Sequence, residues 1–135
     1  MILNVLRVNG CMAVNRLVMV VDDEADILTT AKQILDVFGY PSLLVREAAQ
    51  VLETAGKAQP MVILQDVVMP GLHVEKLVRQ LKKGALTKNI PVILFSASLT
   101  IREICRQAKA DGYVLKPFDL SELRAMLEKY AGKPS

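Results

Sequence analysis

The chain has 135 residues, of which 52% are apolar and 23% are charged, and its formal net charge is +3. This composition is typical of one globular domain and excludes an intrinsically disordered chain. Aromatic residues make up only 4%, and the basic residues form no block. The sequence therefore argues against a surface that binds nucleic acid through base stacking and phosphate contacts.

The cysteines and the N-terminus predict where the protein resides. Cys11 and Cys105 lie far apart and lack the spacing of metal ligands, so we expect free thiols in a reducing compartment. No apolar run approaches the ~20 residues that span a membrane. The first residues carry no positive charge before their apolar part, which is not typical of a signal peptide. We therefore expect a cytoplasmic protein without membrane attachment.

Five short apolar runs predict five β-strands, at residues 17–21, 42–45, 61–64, 91–95 and 113–115. Runs of this kind are typical of strands that are buried on both faces of a parallel sheet.

Apolar residues at the spacing i, i+3, i+4 and i+7 follow each predicted strand and indicate five amphipathic helices. Gly39, Gly56 and Gly84 are predicted to end the first three of them. Alternating strands and helices require right-handed crossovers and a parallel sheet covered on both faces. We therefore predict an α/β fold: a flavodoxin-like, doubly wound sheet of five parallel strands in the order 2-1-3-4-5, with five helices.

Polar side chains stand where four of the predicted strands end. Because the carboxyl ends of neighbouring parallel strands meet at one edge, we expect these side chains to form one crevice. Two carboxylates about 4 Å apart repel by about 4 kcal/mol at an effective dielectric constant near 20, so the cluster needs cations. A lysine supplies one, and Mg²⁺ with oxygen ligands suits the remainder. Such a group fits phosphoryl transfer to a carboxylate. Its members are Asp22, Asp23, Asp66, Ser96 and Lys116.

Four motifs in chain order carry a resemblance to a known family. They are VVDDE at 20–24, LQDVVMPG at 64–71, FSA at 95–97 and YVLKPF at 113–118. On these motifs, residues from about 16 to 130 resemble the receiver domain of bacterial two-component response regulators. The resemblance implies a signalling domain and not an enzyme, with chemistry limited to its own phosphorylation and dephosphorylation.

The resemblance also implies roles for individual residues. Asp66 would accept a phosphoryl group from a histidine kinase or a phosphotransfer protein and form an aspartyl phosphate. A Mg²⁺ ion would be bound directly by Asp23 and largely through water by Asp22. Asp66 itself and the backbone carbonyl of Val68 would be further ligands. Lys116 would pair with the phosphoryl group.

A switch is implied as well. Ser96 would donate its hydroxyl to a phosphoryl oxygen, and Tyr113 would be the aromatic residue that responds. The surface that changes would comprise the fourth helix, the fifth strand and the fifth helix, where a second copy or an output domain would bind. Its basic residues on the fourth helix are Arg102, Arg106 and Lys109. The resemblance further implies a cis peptide bond before Pro117.

The sequence departs from the family just before the third helix. His73 and Val74 stand where an Asp-Gly pair is usual. Loss of the Asp removes a good N-cap residue, worth about 1 kcal/mol, and loss of the Gly restricts a loop next to the acceptor. No chemical group of the predicted site is missing.

Other interpretations stay open at this point. Asp22 and Asp23 could serve only as the N-cap of the first helix, and Tyr113 could be an ordinary core residue. The chain could be a degenerate receiver that binds a partner without phosphorylation. A phosphatase of the haloacid dehalogenase type would need an Asp-x-Asp pattern on the first strand. A flavodoxin would need a phosphate-binding loop there, where this chain has acidic residues.

We expect three segments along the chain. Residues 1–15 are predicted to be a flexible N-terminal extension, 16–131 the receiver domain, and 132–135 a tail or the start of a linker.

Overall fold

Strands and helices alternate along the chain in the computed structural model, which describes residues 16–133 and the backbone of 5–8 and 11–14. The strands are β1 Val5–Val8, β2 Cys11–Val14, β3 Val18–Val21, β4 Ser42–Val45, β5 Val62–Asp66, β6 Val92–Ser96 and β7 Gly112–Leu115. The helices are α1 Ala25–Phe38, α2 Val51–Ala58, α3 Val74–Lys83, α4 Ile101–Ala108 and α5 Leu120–Ala131, and a 3₁₀ turn, Ala48–Gln50, precedes α2.

A five-stranded parallel sheet organises the domain, in the order β4-β3-β5-β6-β7. Counted along the chain within this sheet, the order is 2-1-3-4-5, so the predicted fold is confirmed. The strand order reverses between β3 and β5, and a crevice forms at the carboxyl ends of strands beside such a reversal.

Helices cover both faces of the sheet and make two separate cores, because successive strand residues point to opposite faces. The α1–α5 face buries Leu28, Ala31 and Leu35 of α1 and Leu123, Leu127 and Ala131 of α5. The α2–α4 face buries residues of three helices: Val51, Ala55, Leu77, Val78, Leu81, Ile101, Cys105 and Ala108. Strands β3, β5 and β6 are buried along their whole length, which explains their nearly continuous apolar sequences.

Two central strands extend beyond their predicted carboxyl ends. β5 continues through Gln65 to Asp66, and β6 continues to Ser96. The ladder persists there because Asp66 pairs with Phe95. The apolar runs stop before these polar residues, so the sequence prediction ended both strands too early. Asp66 and Ser96 consequently lie on strands that neighbouring strands hold on both sides.

Two of the three glycines predicted to end helices do so. Gly39 follows α1 with a φ of 87°, the left-handed conformation that glycine adopts without strain, and Gly84 follows α3. The prediction for Gly56 is wrong, because α2 continues through it and ends at Gln59, with a φ of 51°. The Gln59 side-chain amide donates to the carbonyl of Gly56, 2.9 Å away, and so stabilises this end of the helix.

The N-terminal segment contains a two-stranded antiparallel ribbon, β1 paired with β2, where the sequence analysis predicted no regular element. The remaining residues of 1–15 and the side chains of that segment, Cys11 included, lie outside the described residues, as do residues 134 and 135. The flexibility predicted for the extension stays a prediction. In the part of the chain that the structure describes, no helix is both long and apolar enough to cross a membrane.

Candidate functional site

Three aspartates meet at the carboxyl edge of the sheet and form an acidic cluster (Asp22, Asp23 and Asp66). Each contributes a carboxylate oxygen, and these oxygens lie within 4.8 Å of one another. Asp22 is fully buried, Asp66 is 4% exposed and Asp23 is half-buried. The cluster exists because the first two follow β3 and the third ends β5, its neighbour in the sheet.

Lys116 bridges the two buried members of the acidic cluster. Its Nζ atom lies 2.9 Å from Asp22 Oδ2 and 3.4 Å from Asp66 Oδ1. The ammonium also lies 4.8 Å from the centre of the Phe95 ring, a cation–π contact that the sequence analysis did not predict. Phe95 in turn packs against Phe118, with ring centres 5.5 Å apart. Two aromatic rings thus support the ammonium that faces the carboxylates.

Asp22 is held from two sides. Its Oδ2 accepts from Lys116, and its Oδ1 accepts from the backbone N–H of Glu24 at 2.9 Å. Glu24 is the N-cap residue of α1, so neither Asp22 nor Asp23 occupies the capping position. The interpretation of the acidic pair as only a helix cap is therefore wrong.

Burial and neighbouring charges shift the protonation of the site. Burial raises the pKa of Asp66 to about 6, helped by the Asp22 carboxylate and opposed by Lys116 and by the N–H of Val68. Burial alone would lower the pKa of Lys116, but its contacts with Asp22 and Asp66 outweigh burial and raise it. At neutral pH Asp66 is therefore mostly ionised and Lys116 is charged.

Ser96 and Tyr113 occupy the neighbouring strands. The Ser96 carbonyl accepts from the backbone N–H of Lys116 at 2.9 Å, and its hydroxyl oxygen accepts from the N–H of Ser98 at 3.1 Å. Tyr113 is half-buried and packs against the core of the α2–α4 face. The peptide bond between Lys116 and Pro117 is cis, as the resemblance implied.

The loop after β5 brings the backbone of Val68 close to Asp66. The backbone N–H of Val68 lies on the side of the Asp66 carboxylate and favours its ionised form, which lowers its pKa, while Val68 itself is 73% exposed. His73 is the N-cap residue of α3 and makes no side-chain capping bond, so the cap that an aspartate would supply is missing here.

Comparison with known proteins assigns the domain. The family model described as "response regulator receiver domain" matches residues 18–128. The chain belongs to this family.

The relatives that the chain matches differ in length. The transcriptional regulatory protein PrrA from Mycobacterium tuberculosis is 33% identical over 113 residues, which cover 82% of this chain and 48% of the relative. This receiver domain thus spans about half the length of that protein. Sporulation initiation phosphotransferase F from Bacillus subtilis is 26% identical over 118 residues, which cover 86% of this chain and 94% of the relative.

A solved receiver structure matches the fold closely. It is the receiver domain of the sensor histidine kinase PA1611 from Pseudomonas aeruginosa PAO1, with a magnesium ion coordinated in the active site cleft. The two structures have a TM-score of 0.79 and 26% sequence identity, over 88% of this chain and 99% of the other.

We predict that Asp66 lowers the stability of the metal-free protein as the pH rises. With a pKa raised from 3.8 to about 6, this carboxyl binds its proton more tightly in the folded protein than in the unfolded chain. Its stabilising contribution is complete below about pH 4 and is lost as the pH rises through about 6. Asp66→Asn should therefore raise the free energy of unfolding at about pH 7 by on the order of 1–3 kcal/mol.

Urea unfolding with a chelator present, from about pH 4 to about pH 8, measures this effect. Asp36→Asn is the control, because Asp36 is 55% exposed and pairs with Lys32 at the surface. The free energy of unfolding of Asp36→Asn should not rise above that of the wild type. An Asp66→Asn gain of equal size at about pH 4 and about pH 7 would contradict the titration of Asp66 as its origin.

Proposed function

We propose that this receiver domain accepts a phosphoryl group on Asp66, with Mg²⁺ at the acidic cluster, and that the aspartyl phosphate alters a protein-binding surface. A histidine kinase or a phosphotransfer protein would be the donor. The observation that carries the proposal is the Lys116 ammonium between Asp22 and Asp66, at 2.9 Å and 3.4 Å. The Asp66 carboxylate is buried and lies next to a fixed cation and two further carboxylates, which supports Asp66 as the acceptor that we propose.

The acidic cluster fits a hard divalent cation. Its three carboxylates supply only oxygen ligands, and one ammonium does not balance them. Mg²⁺ is usually held by one or two carboxylates and retains several waters. The magnesium ion in the cleft of the PA1611 receiver domain supports the same ion here.

The contacts of each aspartate suggest which of them would bind Mg²⁺ directly and which would bind it through water. Both oxygens of Asp22 are already bonded, so Asp22 would act through water. Asp23 is half-buried and is the direct ligand that we propose, with Asp66 and the carbonyl of Val68 completing the set. When bound, Mg²⁺ would supply positive charge that neutralises the phosphoryl oxygens.

Asp66 is suited to be the nucleophile because it is buried yet mostly ionised at neutral pH. In the transfer, one of its carboxylate oxygens forms a bond to phosphorus. The bond from phosphorus to the donor atom breaks, and the donor leaves with the electron pair. Lys116 and Ser96 would bind oxygens of the transferred group through charge-assisted hydrogen bonds.

The alternative functions fit these contacts less well. A dehalogenase-type phosphatase would use a nucleophilic aspartate at the end of β3, the first strand of the parallel sheet along the chain. There, both oxygens of Asp22 are bonded and its side chain is fully buried. In a flavodoxin, the carboxylates after β3 would repel the phosphate of the cofactor. A receiver that only binds a partner would have no use for a buried charge cluster, which is costly to desolvate.

We predict that acetyl phosphate and Mg²⁺ add one phosphoryl group to the protein. Acetate is the leaving group, and the increase in mass is visible by intact mass spectrometry. Asp66→Asn should take up none, because an amide oxygen is a poor nucleophile. Asp36→Asn, a change at an exposed carboxylate, should be labelled like the wild type. Full labelling of Asp66→Asn would remove Asp66 from its proposed role.

We predict a second, metal-specific effect at Asp23. Mg²⁺ should raise the melting temperature of the wild type by mass action, because it binds only the folded site. Asp23→Asn should weaken this response and raise the stability of the metal-free protein, since one repelling charge is gone. Thermal unfolding across a Mg²⁺ titration measures both effects. Identical responses in the two proteins would show that Asp23 is not a ligand.

The proposed output surface comprises α4, β7 and α5. It presents Arg102 and Arg106 on α4 and Lys109 directly after that helix, all exposed, and Arg106 pairs with Glu103. A phosphoryl oxygen would attract the Ser96 hydroxyl away from the N–H of Ser98. Tyr113 packs on the same face of the sheet and would take up the space that Ser96 vacates. A second copy or an output domain would bind this surface.

We predict that Ser96→Ala uncouples phosphorylation from this surface. The variant should still be phosphorylated, since Asp66 and Lys116 are unchanged, but it should not transmit the change. The measurement is the set of amide chemical shifts of α4 and β7, with and without beryllofluoride as a phosphoryl mimic. Equal shift changes in the wild type and Ser96→Ala would rule out the coupling, and an unresponsive wild type would rule out the surface.

The partners of the whole protein belong to this proposal as well. Because PrrA is about twice as long as the matched region, an output domain is one candidate partner. Sporulation initiation phosphotransferase F, most of which is matched, makes a separate partner protein the other candidate. The cytoplasmic location stays a prediction.

A further inference from the structure

A buried amide lies directly beside the proposed phospho-acceptor. Gln65 is fully buried on β5, one residue before Asp66. Its neighbours in the sheet, Val21 and Leu94, both belong to the core of the α2–α4 face. An apolar side chain would fill this position without burying polar atoms, so core packing alone does not account for an amide here.

Both donors of the amide are directed to the loop that follows Asp66. Gln65 Nε2 donates to the backbone carbonyl of Asp66 at 2.9 Å and lies 3.5 Å from Met69 Sδ. Only the nitrogen can face a carbonyl oxygen, so this contact fixes the orientation of the amide. Gln65 Oε1 is then left buried without a hydrogen-bond partner among residues 16–133. An unpaired buried acceptor lowers stability, so the amide is a poor choice for stability alone.

The two contacts hold the loop at both of its ends. The Asp66 carbonyl belongs to the peptide at which the chain leaves the sheet, and its direction sets the course of the chain towards Val68. The N–H of Val68 favours the ionised form of the Asp66 carboxyl and lowers its pKa. At the other end, the Met69 carbonyl accepts from the N–H of Leu72 at 3.1 Å, in the turn that leads to α3.

We propose that Gln65 is a positioning residue for phosphoryl transfer. It holds the segment from Asp66 to Met69 so that the acceptor carboxylate and the Val68 backbone keep a fixed geometry. It touches none of the reacting atoms and acts through the backbone carbonyl of Asp66 and the side chain of Met69. The inference rests on the function proposed above.

The test replaces the amide and keeps its volume. In Gln65→Met, the unpaired acceptor is lost together with the two donor contacts, so stability to urea should be maintained or raised. The phosphorylation rate with saturating acetyl phosphate and Mg²⁺ should fall on the order of ten- to a hundredfold, because misplacing a reacting group is costly. In the metal-free protein, the Val68 amide should exchange with solvent faster than in the wild type.

Ile63→Val is the matched control. Ile63 lies on the same strand, is fully buried in the same core and is two residues further from the loop. This variant should lose stability through the cavity it creates, yet keep the wild-type phosphorylation rate and Val68 exchange. A purely structural role for Gln65 would make Gln65→Met behave in the same way.

The outcomes separate the two proposals. A Gln65→Met protein with wild-type rate and wild-type Val68 exchange overturns the positioning role alone. Failure of both Gln65→Met and Gln65→Leu to fold also overturns it, because the amide would then be required for stability. A wild type that takes up no phosphoryl group overturns the proposed function itself, and with it any role of Gln65 in transfer.

Discussion

Three carboxylates meet at one edge of the sheet, and their mutual repulsion would open the crevice if no cation stood among them. The Lys116 ammonium is that cation, and its side chain is only 16% exposed, so water screens it little. Its position depends on the pairing of β7 with β6, since its backbone N–H donates to Ser96. It also depends on the Phe95 ring beneath it. The sheet and the Phe95 ring therefore keep the charged groups of the site at fixed positions relative to one another.

Much of the fold could be predicted because burial on both faces of a parallel sheet leaves a strong signal in sequence. Strands β3, β5 and β6 are buried at every position, and each contains an apolar run. Exact ends were harder to predict. Asp66 extends its strand because a neighbouring strand pairs with it, and Gln59 ends α2 where Gly56 was expected to do so. The first outcome depends on a strand that is distant in sequence, and the second on a residue other than glycine in the left-handed conformation.

The composition of the site followed from the residues at the strand ends, because the topology brings those ends together. Its internal contacts did not follow. No sequence pattern shows that Glu24 would bond Asp22 through its backbone, or that Lys116 would lie over Phe95. Gln65 could have been noticed as a polar residue directly after an apolar run, but its two contacts become visible only with the loop in place. Sequence shows which groups assemble, whereas packing decides how they are held.

The alternation of side chains along β6 and β7 assigns different tasks to the two faces of the sheet. Phe95 packs in the α1–α5 core and supports Lys116, while Ser96 follows it on the strand and Tyr113 packs on the α2–α4 side. The groups that restrain the charges and the groups proposed to respond to them are thus separated by one thickness of sheet. Substitutions in the core beneath α1 and α5 would alter how firmly Phe95 and Lys116 are held beside the carboxylates. Substitutions beneath α2, α3 and α4 would alter the packing around Tyr113. Because α5 belongs both to the α1–α5 face and to the proposed output surface, the two effects would be linked through that helix.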